Sequence, residues 1–174
     1  MKKIIVGLLL LAFSLGINAA ELKKADESLE TPILKLESLK GKSFDLSEFK
    51  DKIVLVQFWA TYCTSCRVEM PSMNTLRKEL EAAKVPFEIL AVNMGETKAE
   101  VQKFVDEVKP EFPVLLAPAT GEDMQRWNVF AAPSNFVIDT KGKIRYTLYG
   151  GVEWDSAEIT KTIKDLAAEA EKKS

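Results

Sequence analysis

The chain has no histidine and only two cysteines. The first absence removes Ser-His-Asp and Cys-His catalysis, because both need an imidazole to take the proton of the nucleophile. The second leaves too few thiolates to close a four-ligand zinc site, and neither a metal nor another cofactor is expected. Excess positive charge is missing too: 24 Lys and Arg stand against 26 Asp and Glu, so nothing favours a nucleic-acid partner. Repeats and low-complexity linkers are absent, which leaves one folded domain as the expectation.

What is present begins with a distinct N-terminus. Lys2 and Lys3 precede an apolar run from Ile4 to Ile17, and the small residues Ala19 and Ala20 close it. This is the layout of a signal peptide over residues 1–20. Ile4 to Ala20 is 17 residues, the lower end of the ~17 to 25 that span a membrane, so a retained anchor is the alternative. The short apolar core favours removal. No cysteine lies in this segment, which excludes lipid attachment through a mature N-terminal Cys. Removal leaves 154 residues with 22 basic and 26 acidic side chains, a net charge of −4. That length supports a hydrophobic core without disulfide staples. Residues 21–31 are charged, lack apolar periodicity and are expected as a flexible leader, with the domain filling 32–174.

Along that domain, Ile33 to Leu39 and Ser43 to Leu46 flank Gly41 as a hairpin. Ile53 to Trp59 is a nearly continuous β-branched and aromatic run, the pattern of a strand covered on both faces. Thr64 to Lys84 carries Val68, Met73, Leu76, Leu80 and Ala83 at mostly helical steps, with Pro71 expected to kink the helix. A second buried strand follows at Phe87 to Val92, and then a helix over Lys98 to Val108. Phe112 to Leu116 reads as a short extended piece and Gly121 to Trp127 as a short helix. Asn135 to Asp139 and Lys143 to Tyr149 pair across Gly142 as an antiparallel edge, and a final helix starts near Ser156.

The chemistry is expected at Cys63-Thr64-Ser65-Cys66, because this pair sits where the buried strand ends and the long helix begins. At a helix N-terminus the first sulfur meets unpaired N–H groups and the positive end of the helix dipole, which favours the thiolate. Cys66, one turn later and facing inward, is then the resolving thiol. A structural staple is the competing reading. Closing a four-residue ring restricts the unfolded chain by only roughly 1.9 kcal/mol, against about 3 for fifteen residues, so this is a poor place to gain stability.

The run Phe58-Trp59-Ala60-Thr61-Tyr62-Cys63-Thr64-Ser65-Cys66 resembles the F-W-A-T-W-C-x-x-C of TlpA-like and ResA-like thioredoxins. The resemblance extends through Asn93-Met94-Gly95-Glu96-Thr97, Phe112-Pro113-Val114 and Ala132-Pro133-Ser134-Asn135 to the Gly142 turn, nearly all of residues 32 to 170. It implies an α/β thioredoxin fold, a central mixed β-sheet flanked by helices, with an N-terminal β-hairpin extension and a β-α insertion. Tyr62 stands where the family has Trp, and Gln57 where cytoplasmic thioredoxins bury an Asp that handles protons.

Glu69 matches an acidic residue that the family places near the cysteines, and its position one turn beyond Cys66 fits a replacement proton relay. The resemblance also implies a cis bond before Pro133, which would offer the backbone of Ala132 to an extended client segment. Trp59 and Tyr62 are the candidate aromatic lining of that docking surface, and Trp59 reads equally as a core support beneath it. Further implied are a monomer in the bacterial periplasm, client proteins with disulfides in cytochrome c maturation or copper-site assembly, and a membrane thiol electron donor (DsbD-like or CcdA-like). Other readings are a thiol oxidase or isomerase running the reverse cycle, a Cu(I)-binding chaperone using both thiolates, a peroxidase on the same fold, and an adaptor with no redox role.

Overall fold

The computed structural model describes residues 21–171; the expected signal segment lies outside them. Eight strands form one sheet: β1 (Lys23–Lys24), β2 (Lys35–Ser38), β3 (Ser43–Asp45), β4 (Ile53–Trp59), β5 (Phe87–Asn93), β6 (Val114–Leu116), β7 (Ser134–Ile138) and β8 (Ile144–Tyr149). Among the described residues four α-helices accompany them, α1 (Thr64–Ala82), α2 (Lys98–Val108), α3 (Glu122–Arg126) and α4 (Ala157–Glu171), with a 3-10 turn at Leu46–Phe49. The strand order is β1-β8-β7-β4-β5-β6-β2-β3. Only β4–β5 and β5–β6 are parallel; the other pairs run antiparallel. This is the mixed sheet of a thioredoxin fold, and the β2–β3 hairpin extends it beyond β6.

Every residue of β4 is buried, as its unbroken apolar run requires of a strand with neighbours on both sides and layers on both faces. Its side chains alternate between two cores. Ile53, Leu55 and Trp59 join the cluster built with α1, α2 and α4, whereas Val54, Val56 and Phe58 join Leu34, Trp127 and Phe136 on the opposite face. By that parity Gln57 points at α1, a placement on which the site depends.

The buried stripe of α1 is Cys66, Glu69, Met70, Met73, Leu76 and Leu80. Val68, expected in it, is 72% exposed, and Ala83 is exposed as well. The inward turn of Cys66 decides this: steps of three and four residues from position 66 reach 69, 70 and 73, while position 68 falls nearly opposite.

Two further expectations change. The segment 21–31 is held to the domain: Lys23 and Lys24 pair with Thr147 and Tyr146, Leu22 packs against the core, and Thr31 Oγ1 accepts from the Ile144 N–H at 3.0 Å. The β7–β8 pair is accordingly interior, with β1 outside it. Among the described residues no helix is long and apolar enough to cross a membrane.

Candidate active site

β4 ends at Trp59, the chain turns through Ala60 to Tyr62, and Cys63 becomes the N-cap of α1. Its Sγ takes the place of a capping oxygen and accepts the Cys66 backbone N–H at 3.1 Å. Ser65 Oγ lies 3.5 Å from the same sulfur. Cys63 and Cys66 are joined as a disulfide, with Cys63 at the surface edge and Cys66 fully buried. The cap geometry aims partial positive charge from the helix N-terminus at Cys63 Sγ, which is an environment that suits a thiolate once the disulfide opens.

Behind the pair, Glu69 is only 3% exposed. Gln57 Nε2 donates to its Oε1 at 2.6 Å and the Val152 N–H donates to its Oε2 at 3.2 Å. Burial pushes its carboxyl up to about 8, and the Val152 N–H and the Trp154 side chain oppose this only in part. Such a group exchanges a proton close to neutral pH. Gln57, which faces this site in place of an acid, also leaves its own Oε1 without a partner. Turning the amide over would let it accept from a protonated Glu69, so the pair can satisfy either state of the carboxyl.

The loop after β8 completes the enclosure. The Val152 N–H binds Glu69, the Trp154 N–H binds Ser72 Oγ at 2.9 Å, and the Gly150 N–H binds Pro133 O at 3.0 Å. Gly151 passes so near α1 that a Cβ there would lie 2.9 Å from Ser65 Cβ and 3.6 Å from Glu69 Oε2. Gly151→Ala is therefore expected to push the loop off Ser65 and slow disulfide exchange about tenfold, since small displacements of reacting groups carry large rate penalties. Exchange kinetics beside a thermal melt check this; an unchanged rate would show that the loop need not lie so close.

A groove of about 1710 Å³ opens beside Cys63, lined among others by Tyr62, Glu69, Ala132, Val152 and Leu22. Tyr62 is 78% exposed at its mouth. The Ala132–Pro133 bond is cis, Ala132 is half-buried on the groove wall, and Pro133 is buried. Trp59 does not belong to this surface. It is wholly buried and packs on Phe104 with ring centroids 4.5 Å apart, because an odd-numbered β4 side chain points into the α1 core. It supports the redox turn from below.

Tyr62, Cys63, Glu69 and Ala132 thus line one groove, with Cys66 bonded to Cys63 and Pro133 joined to Ala132 through the cis bond. Reading the sequence missed the Gln57 bond to Glu69, the Gly151–Val152 loop and the leader's Leu22 on the groove wall. Strand parity was the available signal for Gln57. The others depend on elements far apart in the chain.

A dithiol that closes on itself at a helix N-terminus, with one sulfur presented and one sealed, is the working part of a thiol-disulfide oxidoreductase, and this sheet places it in the thioredoxin class. The chain belongs to the AhpC/TSA family, whose model matches residues 29–147. Among its relatives is the thiol-disulfide oxidoreductase ResA of Bacillus thuringiensis subsp. konkukian, 34% identical over 128 residues, 74% of this chain and 72% of the relative. ResA of Geobacillus thermodenitrificans is 33% identical over 153 residues, 86% of each chain. A solved thioredoxin-family thiol:disulfide interchange protein from Chlorobium tepidum matches with a TM-score of 0.67 and 26% identity, covering 80% of this chain and 99% of its own.

Proposed function

We propose that this protein is an exported reductase that acts as a monomer on disulfides of client proteins in the periplasm. The carrying observation is the division of labour between the sulfurs: Cys63 Sγ lies at the groove on an N–H donor, and Cys66 is sealed behind it. The Cys63 thiolate attacks one sulfur of a client disulfide, forming a mixed disulfide and releasing the other client sulfur as a thiolate that takes up a proton. Cys66 gives its proton to Glu69 and attacks Cys63 Sγ. That step releases the second client thiolate and leaves the Cys63–Cys66 disulfide. Two electrons from a membrane thiol donor restore the dithiol.

Tyr62 and the backbone of Ala132, set by Pro133, would hold the client segment extended beside Cys63. Reduction is favoured over oxidation because Thr64-Ser65 sets no His between the cysteines, where its cation would stabilise the reduced dithiol and make the disulfide a stronger oxidant. Export rests on Lys2, Lys3 and the apolar run that follows. Clients of the cytochrome c maturation or copper-site assembly type fit the resemblance to ResA-like proteins.

Trapping tests this reading. Cys66→Ser expressed in the periplasm should accumulate client adducts that dithiothreitol releases, and the same clients should become more oxidised in cells lacking the protein. Adducts with clients that instead become more reduced in such cells would reverse the direction. An absence of adducts, with Cys63 still open to alkylation, would overturn the reading.

A further inference from the structure

Glu96 takes no part in the steps above, yet its carboxylate is committed to the turn that carries Cys63. The Thr61 N–H donates to Oε2 at 2.7 Å and Thr61 Oγ1 donates to Oε1. Asn93 Nδ2 donates to Oε2 at 2.7 Å, and the Glu96 N–H returns a bond to Asn93 Oδ1 at 3.0 Å. The bond from the Met94 N–H to Trp59 O, 3.0 Å, continues the β4–β5 pairing into the same two loops. Glu96 is not needed to start α2, where Thr97 and Glu100 form a reciprocal capping box. Nor is its loop free to slide. Gly95 adopts φ +85°, and a Cβ there would lie 2.9 Å from Ala119 Cα, so the backbone is already pressed against its neighbour.

We propose that Glu96 is a positioning residue for the redox turn, holding Thr61 so that Cys63 stays at the N-cap of α1 once the disulfide has opened. The inference rests on the reading of Cys63 as the attacking thiol. In the oxidised protein the bond to Cys66 itself fixes Cys63. In the dithiol that tether is gone, and the turn is held by the Cys63 N–H on Ala60 O at 3.2 Å and by the two bonds from Thr61 to Glu96. A carboxylate suits the position because three donors converge on it and two oxygens offer lone pairs for all of them. Losing the clamp lets the turn relax and carries Cys63 Sγ away from the Cys66 N–H.

The charge of Glu96 works against this. A carboxylate near a thiol opposes formation of the thiolate, so positioning and charge predict shifts of opposite sign.

The test measures alkylation of Cys63 by iodoacetamide as a function of pH in the fully reduced protein, with the site resolved by mass spectrometry. Glu96→Ala is expected to raise the pH midpoint and lower the rate at pH 7 by about three- to tenfold, as the thiolate fraction falls. Glu96→Gln is expected to stay within about twofold of the wild type, because its one amide oxygen can take both N–H donors while its NH₂ donates to Thr61 Oγ1. Should Glu96→Ala fail to fold, Thr61→Val removes only the hydroxyl bond and should shift the midpoint the same way by less. Three results overturn the proposal: a lower midpoint in both Glu96 variants, an equal rise in both, or a wild-type midpoint in Glu96→Ala with only the melting temperature reduced. Failure of the underlying reading looks different, since wild-type Cys63 would then exchange with no disulfide at all.

Discussion

Cys63→Ser abolishes disulfide exchange, with an expected loss of more than about a thousandfold, while Cys66→Ser keeps the first attack and stalls after it. The asymmetry follows from burial and capping. Cys63 Sγ meets the groove and rests on the Cys66 N–H, whereas Cys66 is wholly enclosed among Met70, Trp59 and their neighbours and has no route to a client sulfur. Serine in place of the attacking thiol leaves a hydroxyl that scarcely ionises and forms no stable bond to sulfur. Exchange with a small aromatic disulfide, followed by release of the coloured thiol, separates the two variants. Cys66→Ser should give one equivalent of product and then stop. Multiple turnovers in that variant would show that resolution does not need Cys66, and any sizeable rate in Cys63→Ser would reverse the assigned roles.

Glu69→Gln is expected to separate the folding cost of the buried carboxyl from its use. In the unfolded chain this carboxyl ionises near 4.5, and in the folded protein near 8. Below pH 4.5 both states hold the proton. As pH rises from there, the unfolded chain releases a proton that the folded protein keeps, so the acid's contribution to stability is lost steadily and levels off above about pH 8. At ~1.36 kcal/mol per pH unit the full change is on the order of 5 kcal/mol. Gln does not titrate, and Gln57 can turn over to pair with it. Urea midpoints should therefore show the variant gaining on the wild type from pH 5 to 8 and holding level above. A constant difference across that range would mean that the carboxyl ionises near its ordinary value.

Catalysis should move the other way. If Glu69 takes the Cys66 proton, Glu69→Gln slows resolution of the mixed disulfide by about a hundredfold at pH 8. The first attack by Cys63 changes little. The wild-type rise in resolution rate toward pH 8 disappears with it. A stabilised variant with undiminished resolution would leave Glu69 a tolerated burial with no part in proton transfer.

Much of this protein is readable from its residues because the relevant signals are local. Ile53 to Trp59 is a strand within its expected bounds, and Lys98 to Val108 is a helix within its own, since each is a long, strongly patterned segment. Cys63 and Cys66 could be picked out because three residues and one strand-to-helix junction contain the whole argument. Errors arise where a side chain's direction depends on partners. Val68 fits a helical apolar stripe as well as Met70 does until the facing sheet is known. Trp59 reads equally as docking surface or core until the parity of β4 is tied to α1. The leader has too little apolar content to predict its order, and it becomes ordered because the free edge of β8 offers Thr147 and Tyr146 for pairing.

By itself the sequence pointed to the thiol pair as the seat of the chemistry, because it holds no histidine and sets its two cysteines where a strand meets a helix, while a staple, a copper chaperone and an adaptor stayed open as readings. It also placed an acid one turn beyond, since spacing along a helix is set by backbone geometry alone. Tertiary structure decided the rest. It brought Gln57 to Glu69 across twelve residues and the Val152 N–H to the same carboxyl across eighty-three. It tied Thr61 to Glu96 across thirty-five. Contacts of that separation exist only after strands have paired and helices have packed. The environment that lifts the Glu69 carboxyl, and the clamp that steadies Cys63, are properties of the folded sheet.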